Sequence, residues 1–205
     1  MGRVLVKIGN LAILNIIYIF VSIFSLGLLL IPATSTLFHF IKKLRDDTYD
    51  PYDTIKPFFR KLFKNARKTI NIQIVFIALI FFCSFNIINS GKMTYPIYIK
   101  NVLLIFYSIT IIECLLVGLM VSYLNANYIF KKESDILKMS FYLVHRHLLT
   151  SLTVFVALVL ISFILYTYSI LIALIGVFSF FMYGLELLYN PVTQKYQIKK
   201  DDNND

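Results

Sequence analysis

Residues 25–69 read SLGLLLIPATSTLFHFIKKLRDDTYDPYDTIKPFFRKLFKNARKT. The stretch opens inside an apolar run, breaks at Pro32 and continues into the most basic loop of the chain. Proline lacks an N–H and crowds the preceding turn, so Pro32 stops or kinks the helix leading into it. Gly27, five residues earlier, joins it in marking a bend. Ala33, Thr34, Ser35 and Thr36 follow; they are small, and their hydroxyls can satisfy backbone groups that a break sets free. From Leu37 the chain is apolar again until Lys42, Lys43 and Arg45 intervene. This Pro-initiated piece is about a dozen residues. At ~1.5 Å per residue it reaches roughly 18 Å, too short to cross a ~30 Å hydrocarbon core. It reads as a half-inserted or interfacial helix. Pro57 then opens a basic amphipathic helix, with Phe58, Phe59, Leu62, Phe63 and Ala66 on one face and Arg60, Lys61, Lys64, Arg67 and Lys68 on the other. Such a helix beside a span lies on the anionic inner leaflet or docks on a partner.

Composition sets the class. The chain has 205 residues, is 59% hydrophobic, and carries a net charge of +9 with a mean hydropathy of +0.76. Soluble domains seldom combine that apolarity with a pI near 9.5. The charge falls between long apolar runs, so it reports membrane topology rather than nucleic acid. Cys83 and Cys114 both lie inside apolar runs, where they behave as small hydrophobes and a disulfide is not expected. No cleavable signal peptide is evident, because the first apolar run is longer than a signal core and no A-x-A-like site follows it. There is no Trp. Tyrosines near the segment ends (Tyr95, Tyr98, Tyr123, Tyr128, Tyr142, Tyr189) are expected to supply the interfacial belt.

The fold class read from these features is all-α: a polytopic membrane protein with five spans, the short Pro-initiated helix and the basic amphipathic helix. The spans fall at about 10–31, 70–89, 99–124, 148–166 and 169–189, within one helical domain over residues 1–190. Residues 191–205 form a cytoplasmic tail, expected to be disordered because its acidic and amide-rich end is solvated. In the polar middle of the basic loop, Asp53 or Thr54 is positioned to cap the Pro57 helix. The last two spans follow from length. Leu148 to Tyr189 holds a single charge, Glu186, and as one helix would measure roughly 63 Å, about twice the hydrocarbon core. A reversal is therefore expected near Tyr166–Ser169, and Glu186 sits near the interface, where a charge is cheap.

Two intramembrane polar residues stand out. Asn15 interrupts the first span, as amides do when they bond a neighbouring helix. Glu113 sits at the centre of the third, where a carboxylate costs roughly 2.5–3.5 kcal/mol unless paired, protonated or facing water. It reads as a helix-packing carboxyl or as an ion- or substrate-handling residue, and no Arg or Lys partner for it is evident in the apolar segments. His145 and His147 are two apart, so they cannot bind one metal as a helical pair would and read as interfacial; His39 is isolated. No Gly-rich phosphate loop, paired-carboxylate site, Cys/His cluster or Ser-His-Asp arrangement can be assembled. No cofactor, metal site or catalytic residue is therefore expected.

Charge sets orientation. In the five-span reading, 16 of the 20 Lys and Arg fall on the side of the basic loop, the Asn125–His147 loop and the C-terminus. That side is cytoplasmic by the positive-inside rule, which leaves the N-terminus external. If span one and the Leu37–Leu44 piece form a re-entrant hairpin instead, the N-terminus is also inside.

Gly27-x4-Pro32-Ala33-Thr34, followed by Leu37 through Lys42-Lys43, resembles the break that marks the YesL-like (DUF624) membrane proteins of bacteria. The FFRKLFKNARK block, with Phe58, Phe59, Arg60, Phe63, Lys64 and Asn65, is similar to that family's post-break stretch, and Asp135–Leu152 resembles its helix leading into the fourth span. The likeness covers nearly the whole chain, which departs from the family in lacking Trp and in its acidic tail end. The resemblance implies a non-enzymatic accessory protein of the cell membrane associated with a carbohydrate ABC-type uptake system or its sensor kinase. The alternative is a small transporter or channel using Glu113.

Overall fold

The computed structural model describes residues 2–46, 48–49, 55–92, 95–168 and 176–196. The described residues are helical, with no β-strand among them. The helices are α1 (Gly2–Phe24), α2 (Leu30–Arg45), α3 (Ile55–Ile88), α4 (Ile97–Asn127), α5 (Glu133–Arg146), α6 (Leu148–Tyr168) and α7 (Phe178–Gln194), with a 3-10 turn at Asn89–Lys92. Among the described residues, four segments are long and apolar enough to cross a membrane: Val6–Phe24, Ile55–Lys92, Ile97–Asn127 and Leu148–Thr167. The start of the expected fifth span, with Ser169 of the reversal, lies outside the described residues. What is described there, α7, has 17 residues with Pro191 inside it and runs past position 190 into the expected tail.

The helix break comes earlier than Pro32. Residues 25–29 form the turn between α1 and α2. The Gly27 N–H donates to the Ser22 carbonyl at 3.0 Å and the Leu26 N–H to the Ile23 carbonyl at 2.9 Å, the paired bonds of a Schellman ending. Leu26 occupies the left-handed position, with φ 50°. Pro32 falls in the first turn of α2, where its missing N–H costs nothing.

α2 lies at the centre rather than on a surface. Eleven of its sixteen residues are buried, and α1, α3, α4 and α7 pack around it. It runs antiparallel to the first half of α3: Phe40 stacks on Phe58 with ring centroids 5.6 Å apart, Thr36 meets Asn65 and Ile31 meets Gln73. α1 turns back along α2, with the Tyr18 hydroxyl 3.2 Å from Thr34 Oγ1. The α1–α2 pair is thus a hairpin whose tip is level with Gln73.

The basic amphipathic segment is not a separate helix. α3 is continuous from Ile55 to Ile88, 34 residues, because nothing between Pro57 and Ile88 interrupts helical geometry. Its second half, from Ile74, extends roughly 22 Å beyond the hairpin tip. There α3 pairs antiparallel with α4, as Phe76 does against Gly118 and Phe82 against Tyr107. Large apolar side chains on this part face outward, among them Phe81, Phe82, Phe85, Ile105, Phe106 and Ile109.

Candidate functional site

Small residues let α2 approach its neighbours, and hydroxyls and amides hold it there. Gln73 fastens the hairpin tip: its Oε1 accepts from the Ile31 N–H at 2.7 Å and its Nε2 donates to the Gly27 carbonyl at 3.3 Å. Asn65 Nδ2 donates to Thr36 Oγ1 at 3.0 Å, and Asn125 Nδ2 to Ser35 Oγ at 2.9 Å. Asn65 is therefore an interior residue, as is Phe58. Of the other residues expected at a docking face, Phe59 is half-buried and Arg60, Phe63 and Lys64 are exposed. The apolar and cationic faces of this segment are also mixed: Phe63 is 60% exposed among the cations, whereas Lys61 is only 8% exposed.

Between the C-terminal half of α2 and the first half of α3 lies a cavity of about 740 Å3. α2 contributes His39, Phe40 and Lys43; α3 contributes Lys56, Pro57, Arg60, Lys61, Phe63, Lys64 and Arg67. Among the described residues no carboxylate lines it. Burial, then the charges of Lys61, Lys43, Lys42 and Lys64, lower His39 from its ordinary 6.5 to about 3. His39 is thus neutral at neutral pH. The helical order places Lys56, Arg60 and Lys64 at successive i, i+4 positions, where like charges repel.

A second polar cluster closes the same end of the bundle. Glu186, expected at a cheap interfacial position, is 2% exposed. Its carboxylate accepts from Arg45 Nη1 at 3.0 Å and from Asn127 Nδ2 at 3.4 Å. Beside it, the Tyr128 hydroxyl donates to Thr193 Oγ1 at 2.6 Å, and Tyr123 packs its ring against Tyr128 and Tyr189. These three tyrosines are buried, so they do not form a belt; Tyr95, Tyr98 and Tyr142 are exposed.

The intramembrane residues find helical neighbours. Asn15 Oδ1 accepts from the Ser179 N–H of α7 at 3.2 Å. Glu113 faces a histidine rather than a Lys or Arg: Nε2 of His145 in α5 lies 3.2 Å from its Oε1, close enough for an ion pair when the imidazole is protonated but without hydrogen-bond geometry. The other ring nitrogen of His145 faces the Phe141 carbonyl at 2.8 Å. His147 Nε2 lies 2.8 Å from the Tyr196 hydroxyl. Cys83 and Cys114 are buried and free. Among the described residues no group of three His, Cys, Asp or Glu converges as a metal site. Asp53 and Thr54, the expected caps, lie outside the described residues.

No family model, curated protein or solved structure matches the chain. The YesL-like resemblance therefore rests on the quoted residues alone.

Proposed function

We propose that this chain is a non-enzymatic accessory protein of the bacterial cell membrane, associated with a carbohydrate ABC-type uptake system or its sensor kinase. The observation that carries the reading is the exposed cationic face of α3, Lys56, Arg60, Lys64 and Arg67, on a helix whose other half is apolar on its outer side. A helix so divided presents charge at the anionic inner leaflet or to a membrane partner at that level. Purification of the tagged chain from its own membranes, after mild cross-linking, should recover transporter or kinase subunits. Recovery of neither, while known membrane complexes survive the same procedure, removes the reading.

In this proposal the basic loop, the Asn125–His147 loop and the C-terminus are cytoplasmic, and α7 belongs to a fifth apolar segment. Five single crossings would leave the N-terminus external. The antiparallel α1–α2 hairpin favours the other arrangement, in which the N-terminus returns to the side of the basic loop. Eighteen of the 20 Lys and Arg then share one side. A cysteine placed at Arg3 should react only from the cytoplasmic face; labelling from outside restores five single crossings.

A transporter reading has one supporting observation: the Glu113 side chain keeps 33% of its surface exposed. Its test is flux in proteoliposomes, which Glu113→Gln must abolish for the reading to stand.

A further inference from the structure

The cavity between α2 and α3 is lined almost wholly by cations and aromatic rings. Its walls combine four exposed cations on one helix face with Lys43 from the other helix, and none of these five meets a carboxylate among the described residues. Concentrating like charge around a shared space is unfavourable unless an anion enters it. The space is large enough for a small organic molecule. Phe40, Pro57 and Phe63 give it an apolar flank, so a ligand with both an anionic group and a carbon body suits it. Arg60 and Arg67 are seven residues apart, two turns along one face, and guanidinium forks bind phosphate oxygens in pairs. His39 sits in the wall as a neutral imidazole, ready to donate or accept one hydrogen bond without adding charge.

We infer that this cavity is a binding site for a phosphate ester, held by Arg60 and Arg67 with Lys43, Lys56 and Lys64 around it. The phosphate can belong to an inner-leaflet lipid headgroup or to a soluble phosphorylated metabolite. Both present the same dianionic or monoanionic oxygens to the same side chains.

The test uses the full chain in nanodiscs. In one arm the discs contain phosphatidylcholine alone, and inorganic phosphate or glycerol phosphate is titrated in solution. In the other arm phosphatidic acid is incorporated in the discs. Binding is read by phosphorus NMR and by the shift in thermal unfolding. Two double variants remove the same charge from different places: Arg60→Gln with Arg67→Gln in the cavity, and Lys131→Gln with Lys132→Gln on the exposed α4–α5 connection. Saturable binding that falls about tenfold or more in the cavity variant and is unchanged in the connection variant supports the site. Such binding in the soluble arm identifies a free phosphate ester, and in the lipid arm alone it identifies a headgroup. Absence of saturable binding in both arms, or equal loss from both variants, overturns the inference. Should the arginine pair fail to fold, Lys56→Gln with Lys64→Gln, both exposed, asks the same question.

Discussion

The two halves of α3 belong to one helix and obey different rules. From Ile55 to Gln73 its inward positions are Phe58, Lys61, Leu62, Asn65, Thr69, Ile72 and Gln73; from Ile74 onward only Cys83 is buried. The first half has a core, and much of that core is polar. The second half turns Ile74, Val75, Phe81, Phe82, Phe85 and Ile88 outward. In water this second half would be an aggregation surface. In hydrocarbon it is ordinary, because lipid tails solvate Phe and Ile as well as a protein interior does. The difference teaches where specificity resides: amides, hydroxyls and one part-buried ion pair define the geometry at the basic end, whereas the apolar half meets α4 through side-chain packing.

Substitutions that remove polar partners at the basic end should therefore cost far more than truncations of large side chains at the other. The largest effect is expected from Arg45→Ala, which strands Glu186 in a buried setting. We expect a loss of about 3 kcal/mol, read as thermal or denaturant unfolding in detergent micelles, with Asn127 unable to compensate. Phe82→Ala, on the lipid-facing half, should change the same measurement by under roughly 0.5 kcal/mol. Equal losses from the two would break the comparison. Next in size, Gln73→Leu leaves the buried Ile31 N–H without its acceptor and should cost about 2 kcal/mol.

A smaller effect depends on pH. His39 is lowered to about 3, so the unfolded chain takes up its proton first as pH falls. Its contribution is full above about 6.5 and is lost progressively between there and about 3, at no more than ~1.4 kcal/mol per pH unit. His39→Gln should flatten that part of the stability profile; a profile identical to the parent chain would place the acid sensitivity elsewhere. Smallest is Leu26→Gly. Leu26 is 88% exposed with φ 50°, and glycine relieves the left-handed strain, so a gain of roughly 0.5–1 kcal/mol is expected.

The long apolar segments and the basic segment were legible because length and charge are local properties. Pro32 is expected to end or kink the helix before it, yet the break lies at Leu26 and Gly27, since a proline in a first turn begins a helix rather than ending one. The burial of α2 was hidden by its own residues. Thr34, Ser35 and Thr36 look like groups mending their own backbone, and Thr36 does so by donating to the Pro32 carbonyl at 2.8 Å; yet all three side chains also meet other helices, at Tyr18, Asn125 and Asn65. The face of α3 was misread at Lys61 and Phe63 for a related reason. The buried stripe runs through Asn65 and Thr69, so following hydrophobicity shifts the phase. Two pairings lay beyond any local signal: Arg45 meets Glu186 across 141 positions, and Glu113 meets a histidine that the sequence places in a polar loop. The cavity was half visible, because the cations of Pro57–Lys68 were evident while the opposing wall of His39, Phe40 and Lys43 depends on the hairpin.

The unbroken course of α3 has a mechanical consequence. A helix without Gly or Pro from Phe58 to Ile88 behaves as a stiff rod, roughly 50 Å for the whole element. An anion drawing Arg60 toward Lys43 would tilt one end, and the other end must swing. Occupancy on one face of the bilayer would then be felt on the opposite face without any moving hinge between them.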